Sequence, residues 1–154
     1  MNSDDYYMKK ALDEAEIAFE KKEVPVGAVV VKDEYIIGRG HNQKESLLDA
    51  SAHAEIIAMT AAARTLKNWR LKGCKLYSTV EPCIMCAGAA VMFRIEEIVF
   101  GVEDEKFGGC VSLAEITKIE KLNHKIVLSG GVCREQAKDL MQRFFKEKRN
   151  NKSV

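Results

Sequence analysis

No apolar run in this chain is long enough to span a bilayer, although 47% of its 154 residues are hydrophobic. The opening Met1-Asn2-Ser3-Asp4-Asp5 is acidic and polar, unlike a signal peptide. The expectation is therefore a cytoplasmic protein with no membrane partner. There is no internal repeat, low-complexity tract or linker, so residues 1–154 are expected to form one domain, long enough to bury a real core. Charge imbalance is absent too. A net charge of +1 argues for no partner by itself. The five cysteines are odd in number and sit in a chain with a normal core, which argues against a disulfide framework. Cys74, Cys110 and Cys133 read as small buried hydrophobes.

Charge is instead local. From Arg134 to Lys152 seven cations face three anions. A basic end on a near-neutral chain fits a phosphate-bearing partner. It equally fits a solvated helix end whose cations complement the helix dipole.

Apolar spacing predicts a helix over 4–21, capped by Asp4 or Asp5. The β-branched run 26–31 and the return 35–40 predict a hairpin, followed by a loop to Ser51. A helix is expected from His53 to Leu66, capped by Asp49 or Ser51, then a strand over 74–80 and a helix over 83–93. Strand 95–102, loop 103–111, a short helix 112–119 capped by Ser112, strand 125–128 and a last helix 133–148 complete the chain. Strands alternating with helices after a hairpin imply an α/β fold: a mixed sheet of five strands with helices on both faces.

Two stretches carry chemistry: Ala52-His53-Ala54-Glu55 and Glu81-Pro82-Cys83-Ile84-Met85-Cys86. Cys83 and Cys86 are spaced to share one face of a helix and one ion. A helix N-terminus, with its free N–H groups and partial positive charge, favours thiolates. His53 precedes Cys83 by 30 residues and opens another helix. Two helices against one sheet would point both N-termini at the same edge, completing three ligands for Zn2+. Three protein ligands leave a tetrahedral position open, the mark of a catalytic rather than a structural zinc. Water bound there would have its pKa lowered from about 15.7 to about 7. Glu55, two residues beyond His53, is placed to move that water's proton without ligating. A lone Cys-x-x-Cys also occurs as a redox pair, and a lone His-Ala-Glu arises by chance. The combination, each half opening a helix, is far more specific.

At these residues the chain resembles the zinc-dependent nucleobase deaminases, with their His-x-Glu and Pro-Cys-x-x-Cys pattern. Val24–Val31, His41-Asn42, Glu81–Ala89, Arg94-Ile95, Phe100-Gly101, Leu122-Asn123-His124 and Phe144-Phe145 are similar to the bacterial tRNA-specific adenosine deaminases, over nearly the whole chain. The resemblance implies the three-layer α/β/α cytidine-deaminase-like fold, one zinc per subunit and a homodimer whose two subunits both contact RNA. It implies conversion of the wobble adenosine of an arginine tRNA anticodon to inosine. Activated water would attack C6 of adenine, Glu55 would carry the protons, and ammonia would leave. The resemblance also marks Asn42 and the Ala54 N–H for the target nucleoside. Asp104 and Lys106 would meet the anticodon, and Phe145 and Arg149 the flanking nucleotides. Val111 stands where the family usually has Gly.

Two other functions compete. One is a guanine, cytosine or nucleoside deaminase acting on a free small molecule, which the basic C-terminal helix (about 133–149, with a frayed tail) suits less well. Small tetrameric cytidine deaminases place Cys where His53 stands. The other is a non-catalytic zinc-bearing RNA module, which has no need of an acid at Glu55.

Overall fold

A computed structural model of the chain describes residues 2–152, of Lys152 the backbone alone. The elements are α1 (Ser3–Glu20), β1 (Gly27–Lys32), β2 (Tyr35–His41), α2 (Lys44–Leu47), α3 (Ala54–Leu66), β3 (Lys75–Val80), α4 (Ile84–Phe93), β4 (Glu97–Val102), a 3-10 turn (Ile116–Lys118), β5 (Val127–Ser129) and α5 (Arg134–Lys152). The strand order in the sheet is β2-β1-β3-β4-β5. β1 is antiparallel to both β2 and β3, while β3, β4 and β5 run parallel.

Strand alternation explains why the β1 run is apolar throughout. Ala28 and Val30, with Leu76, Ile98 and Phe100, pack under α3 and α4. Val29 and Val31, with Tyr77 and Val99, pack under Tyr7, Met8 and Ala11 of α1. Successive side chains point to opposite faces, and both faces are covered. α5 lies on the α1 side, against β4, with Phe144 edge-on to Phe19. This is the expected three-layer fold around a five-stranded mixed sheet.

Strand direction places the functional edge. β2 and β3 both oppose β1, so they run the same way, and β4 follows β3. The connections leaving β2, β3 and β4 therefore emerge at one edge, the crevice where open α/β sheets take ligands. Helix α3 reaches that edge because Gly38 and Gly40 let it lie directly on β2. A Cβ on Gly40 would stand 2.4 Å from the Ala54 carbonyl oxygen and 2.8 Å from the Ala58 nitrogen. Gly40→Ala is expected to destabilise the fold by about 1–3 kcal/mol, the usual cost of overpacking, read as a lower urea midpoint with unchanged slope.

Several local expectations are corrected. Asn2, not Asp4 or Asp5, caps α1, accepting from the Asp5 N–H. The 41–51 loop contains the short helix α2. Neither Asp49 nor Ser51 caps α3: Asp49 accepts the Ser51 N–H and hydroxyl, and His53 holds the cap position. The helix expected over 112–119 is only the turn Ile116–Lys118, because Ser112 is drawn to Glu81 rather than left to cap. β5 is shorter and begins later than expected. α5 continues to Lys152, past the expected end near Arg149; only Ser153 and Val154 of the expected frayed tail lie outside the described residues.

Candidate active site

Each chemical group sits where an element begins. β3 ends at Val80, and Glu81 and Pro82 turn the chain into α4, with Cys83 at its N-cap. Cys86 lies in the first turn, where its N–H meets the Cys83 sulfur at 3.5 Å. His53 occupies the N-cap of α3, and Ala54 and Glu55 open that helix. Two helix N-termini thus converge from separate crossovers.

The His53 Nδ1 lies 3.5 Å from the Cys83 Sγ and 3.5 Å from the Cys86 Sγ. All three ligand atoms lie within 4.8 Å of one another. Tetrahedral zinc, about 2.3 Å from sulfur and about 2.0–2.1 Å from nitrogen, spaces N and S about 3.5–3.6 Å apart. The trio therefore fits a zinc ion in both donor type and spacing.

The electrostatics describe groups that share protons. The Cys86 thiol donating to Cys83, helped by His53 and opposed by burial, lowers Cys83 to about 4. The same contact raises Cys86. His53 is raised chiefly by its bond to Cys83. Glu55 is 3% exposed, and burial pushes its carboxyl up to about 7 despite the nearby imidazole. Such a carboxyl can both take and give a proton near neutrality.

A pocket of about 140 Å³ opens over these groups, lined by Val24, Val26, Asn42, Lys44, His53, Ala54, Glu55, Val80, Glu81, Cys83, Asp104 and Met141. That is small beside the ~300–1,000 Å³ typical of drug-sized ligands; a single flat ring is the matching scale. Buried Asn42 accepts the Lys44 N–H at 3.1 Å and donates to the Val24 carbonyl at 3.3 Å. It is both the turn residue that closes β2 and a pocket wall. Ala54 presents a first-turn helix position, where N–H groups lack intrahelical partners. The Asp104 carboxylate accepts from the N–H groups of Lys106 and Phe107, so it shapes its own loop while lining the pocket.

The other site candidates lie apart from the pocket wall. Cys86 is fully buried behind it. Lys106 is exposed on the Asp104 loop. Phe145, 38% exposed, and exposed Arg149 lie on α5, whose Met141 is the residue that reaches the pocket. Val111 is accommodated without strain: its side chain is exposed, its φ is not positive, and its N–H is held by Glu81.

Sequence reasoning missed Glu81 and Met141. Glu81 is 2% exposed and accepts from the N–H groups of Asp104, Cys110, Val111 and Ser112 and from the Ser112 hydroxyl. Burial raises its pKa, but these bonds outweigh it and keep the carboxyl below its usual value. An acid placed directly after a strand and just before Pro82 was the available signal.

A buried carboxyl beside a zinc-type ligand trio, at the sheet edge of this three-layer fold, is the equipment of a metal-assisted hydrolase. Residues 2–149 match the MafB19-like deaminase family. The chain is 48% identical to a tRNA-specific adenosine deaminase of Aquifex aeolicus, over 96% of this chain and 97% of that one. It is 43% identical to the tRNA-specific adenosine deaminase of Bacillus subtilis, over 100% and 96%. A solved structure from work on A-to-I editing by tRNA:A34 deaminases superposes with a TM-score of 0.85 at 36% identity, covering 88% of this chain and 98% of that one. The chain belongs to the family of tRNA-specific adenosine deaminases.

Proposed function

We propose that this chain, acting as a single deaminase domain, hydrolyses the wobble adenosine of a tRNA anticodon, that of an arginine tRNA, to inosine and ammonia. The observation that carries the reading is buried Glu55 at the floor of a ring-sized pocket beside the His53–Cys83–Cys86 trio. The relatives named for adenosine deamination on tRNA span nearly the whole chain and support the substrate.

His53, Cys83 and Cys86 would hold one Zn2+. When bound, zinc supplies a Lewis acid that makes water acidic enough to lose a proton near neutral pH. Glu55 takes that proton and delivers it to the purine ring nitrogen as the water oxygen bonds to C6; it then takes the remaining proton of the new C6 hydroxyl and delivers it to the amine, so that the C6–N bond breaks, the C6 carbonyl forms and ammonia leaves. Its burial keeps the carboxyl between its two roles. Asn42 and the Ala54 N–H orient the base, while Val24, Val26, Val80 and Met141 exclude solvent from the ring faces.

RNA contacts extend outward from the pocket. Asp104 and Lys106 would meet the anticodon, and Phe145 and Arg149 the flanking nucleotides. Lys148→Ala with Arg149→Ala is expected to weaken stem-loop binding most at low salt. The salt slope should fall by about 1.4 if two phosphate contacts are lost; fluorescence anisotropy across a salt series reads it.

A homodimer is part of the proposal. Ile84, Met85 and Met92 on α4, with Phe107, Val111 and Leu113, are exposed apolar side chains on neighbouring segments. Such a surface favours burial against a second copy. The protein is expected to work in the cytoplasm, and no helix among the described residues is long and apolar enough to cross a membrane.

The function is tested by assaying inosine after incubation with an anticodon stem-loop bearing a wobble adenosine, beside free adenosine, guanine and cytosine. Turnover of the stem-loop is expected. Turnover of a free base alone would move the chain to the small-molecule deaminases.

A further inference from the structure

Two walls of the pocket are loops, and each hangs on one buried carboxylate. Glu23 is 2% exposed and follows α1. Its Oε1 accepts the Glu45 N–H at 3.0 Å and its Oε2 the Ser46 N–H at 2.7 Å. These two bonds hold the start of α2, and the Asn42–Lys44 corner is fixed with it. The Asn42 N–H donates to the Val26 carbonyl at 3.1 Å, and its side chain reaches the Val24 carbonyl. Val24, Val26, Asn42 and Lys44 form one side of the pocket.

Glu81 does the same across the pocket. Its five hydrogen bonds gather the loop from Asp104 to Ser112. A carboxylate has about four acceptor sites, so Glu81 lines the pocket with no capacity left for a substrate. The loop packs closely on it: a Cβ on Gly108 would stand 2.4 Å from the Glu81 carboxyl. The Gly109 N–H also donates to the Pro82 carbonyl at 2.8 Å, tying the loop to the Cys83 turn.

The geometry points to Glu23 and Glu81 as a pair of positioning residues that set the width of the base pocket from opposite sides. Each acts through the backbone of a loop and neither reacts. Each acid stands just before one pocket-lining segment, Glu23 before Val24-Pro25-Val26 and Glu81 before Pro82-Cys83, and ties to it a loop much further along the chain. A carboxamide in either place keeps shape but turns an amine toward N–H donors, so one set of bonds is lost.

This inference rests on the deaminase reading above. The test compares Glu23→Gln, Glu23→Asp and Glu81→Gln with wild type on the wobble-adenosine stem-loop, well below the melting temperature, with zinc content measured in each. The hydrogen bonds of Glu23 go to the Glu45 and Ser46 N–H groups and not to the ligand trio, so Glu23→Gln is expected to keep its zinc and its kcat within about twofold while KM rises roughly tenfold. Glu23→Asp, retaining the charge, should recover part of that rise. Glu81→Gln should raise KM likewise, and either glutamine variant decides the matter where the other folds poorly. Lower melting temperatures with KM unmoved would make both acids merely structural and overturn the inference. Failure of the function reading looks different: wild type itself would leave the stem-loop untouched, and the inference would fall with it.

Discussion

Glu55→Ala is expected to lose roughly 10²–10⁴-fold in kcat, the usual contribution of a positioned general acid–base, while still binding one zinc per chain. The expectation follows from burial. Glu55 is 3% exposed, its carboxyl is pushed up to about 7, and it lies in the first turn of α3 beside His53. Neither of the other two carboxylates that line the pocket can replace it. Glu81 is saturated by hydrogen bonds, and the Asp104 carboxylate is engaged by its own turn. Zinc analysis and single-turnover kinetics on the same sample check both halves. Loss of zinc from Glu55→Ala would make Glu55 a ligand, and full activity would remove it from the chemistry.

The second large effect belongs to the ligand trio. Cys86→Ala should bind no zinc at stoichiometric concentration and should fall to background activity. Cys86 is fully buried and 3.5 Å from the His53 Nδ1, so no water-exposed substitute can take its place. Stability should follow. A ligand present at about 1,000 times its Kd adds about 4.1 kcal/mol to folding, so wild type is expected to melt lower after chelation and to recover on adding zinc. The Cys86→Ala melting temperature should not respond to either treatment. A variant that retained zinc and its thermal response would show that the ion is held elsewhere.

The elements that proved readable were those with a strong period or a strong spacing. The β-branched run 26–31 announced a strand, and His53, Cys83 and Cys86 announced a common centre because strand direction brings their helices to one edge. Most of what could not be read depended on partners far along the chain. Ser112 looks like a helix cap, but Glu81, 31 residues earlier, claims its N–H and hydroxyl. Asp49 looks like a cap for α3 but is satisfied within its own turn. Glu23 gave no signal at all, since its two donors lie on a helix of four residues that no periodicity could reveal. Met141 falls inside the expected last helix with nothing to mark it, and only the position of α5 beside β4 brings it to the pocket. Local pattern therefore pointed to the groups that the fold brings together, while the walls that shape the pocket were set largely by long-range hydrogen bonds.

Deamination of an adenine at the wobble position of an anticodon, with Glu55 moving the protons, makes a sharp demand on where the adenosine stands. The most direct measurement is quantitative inosine detection in two anticodon stem-loops, one with adenosine at the wobble position and one with it moved a single nucleotide away. Zinc-loaded wild type is expected to convert the first and spare the second, and Glu55→Ala to convert neither. Equal conversion of both, or conversion of free adenosine with neither stem-loop touched, would contradict deamination directed to the wobble position.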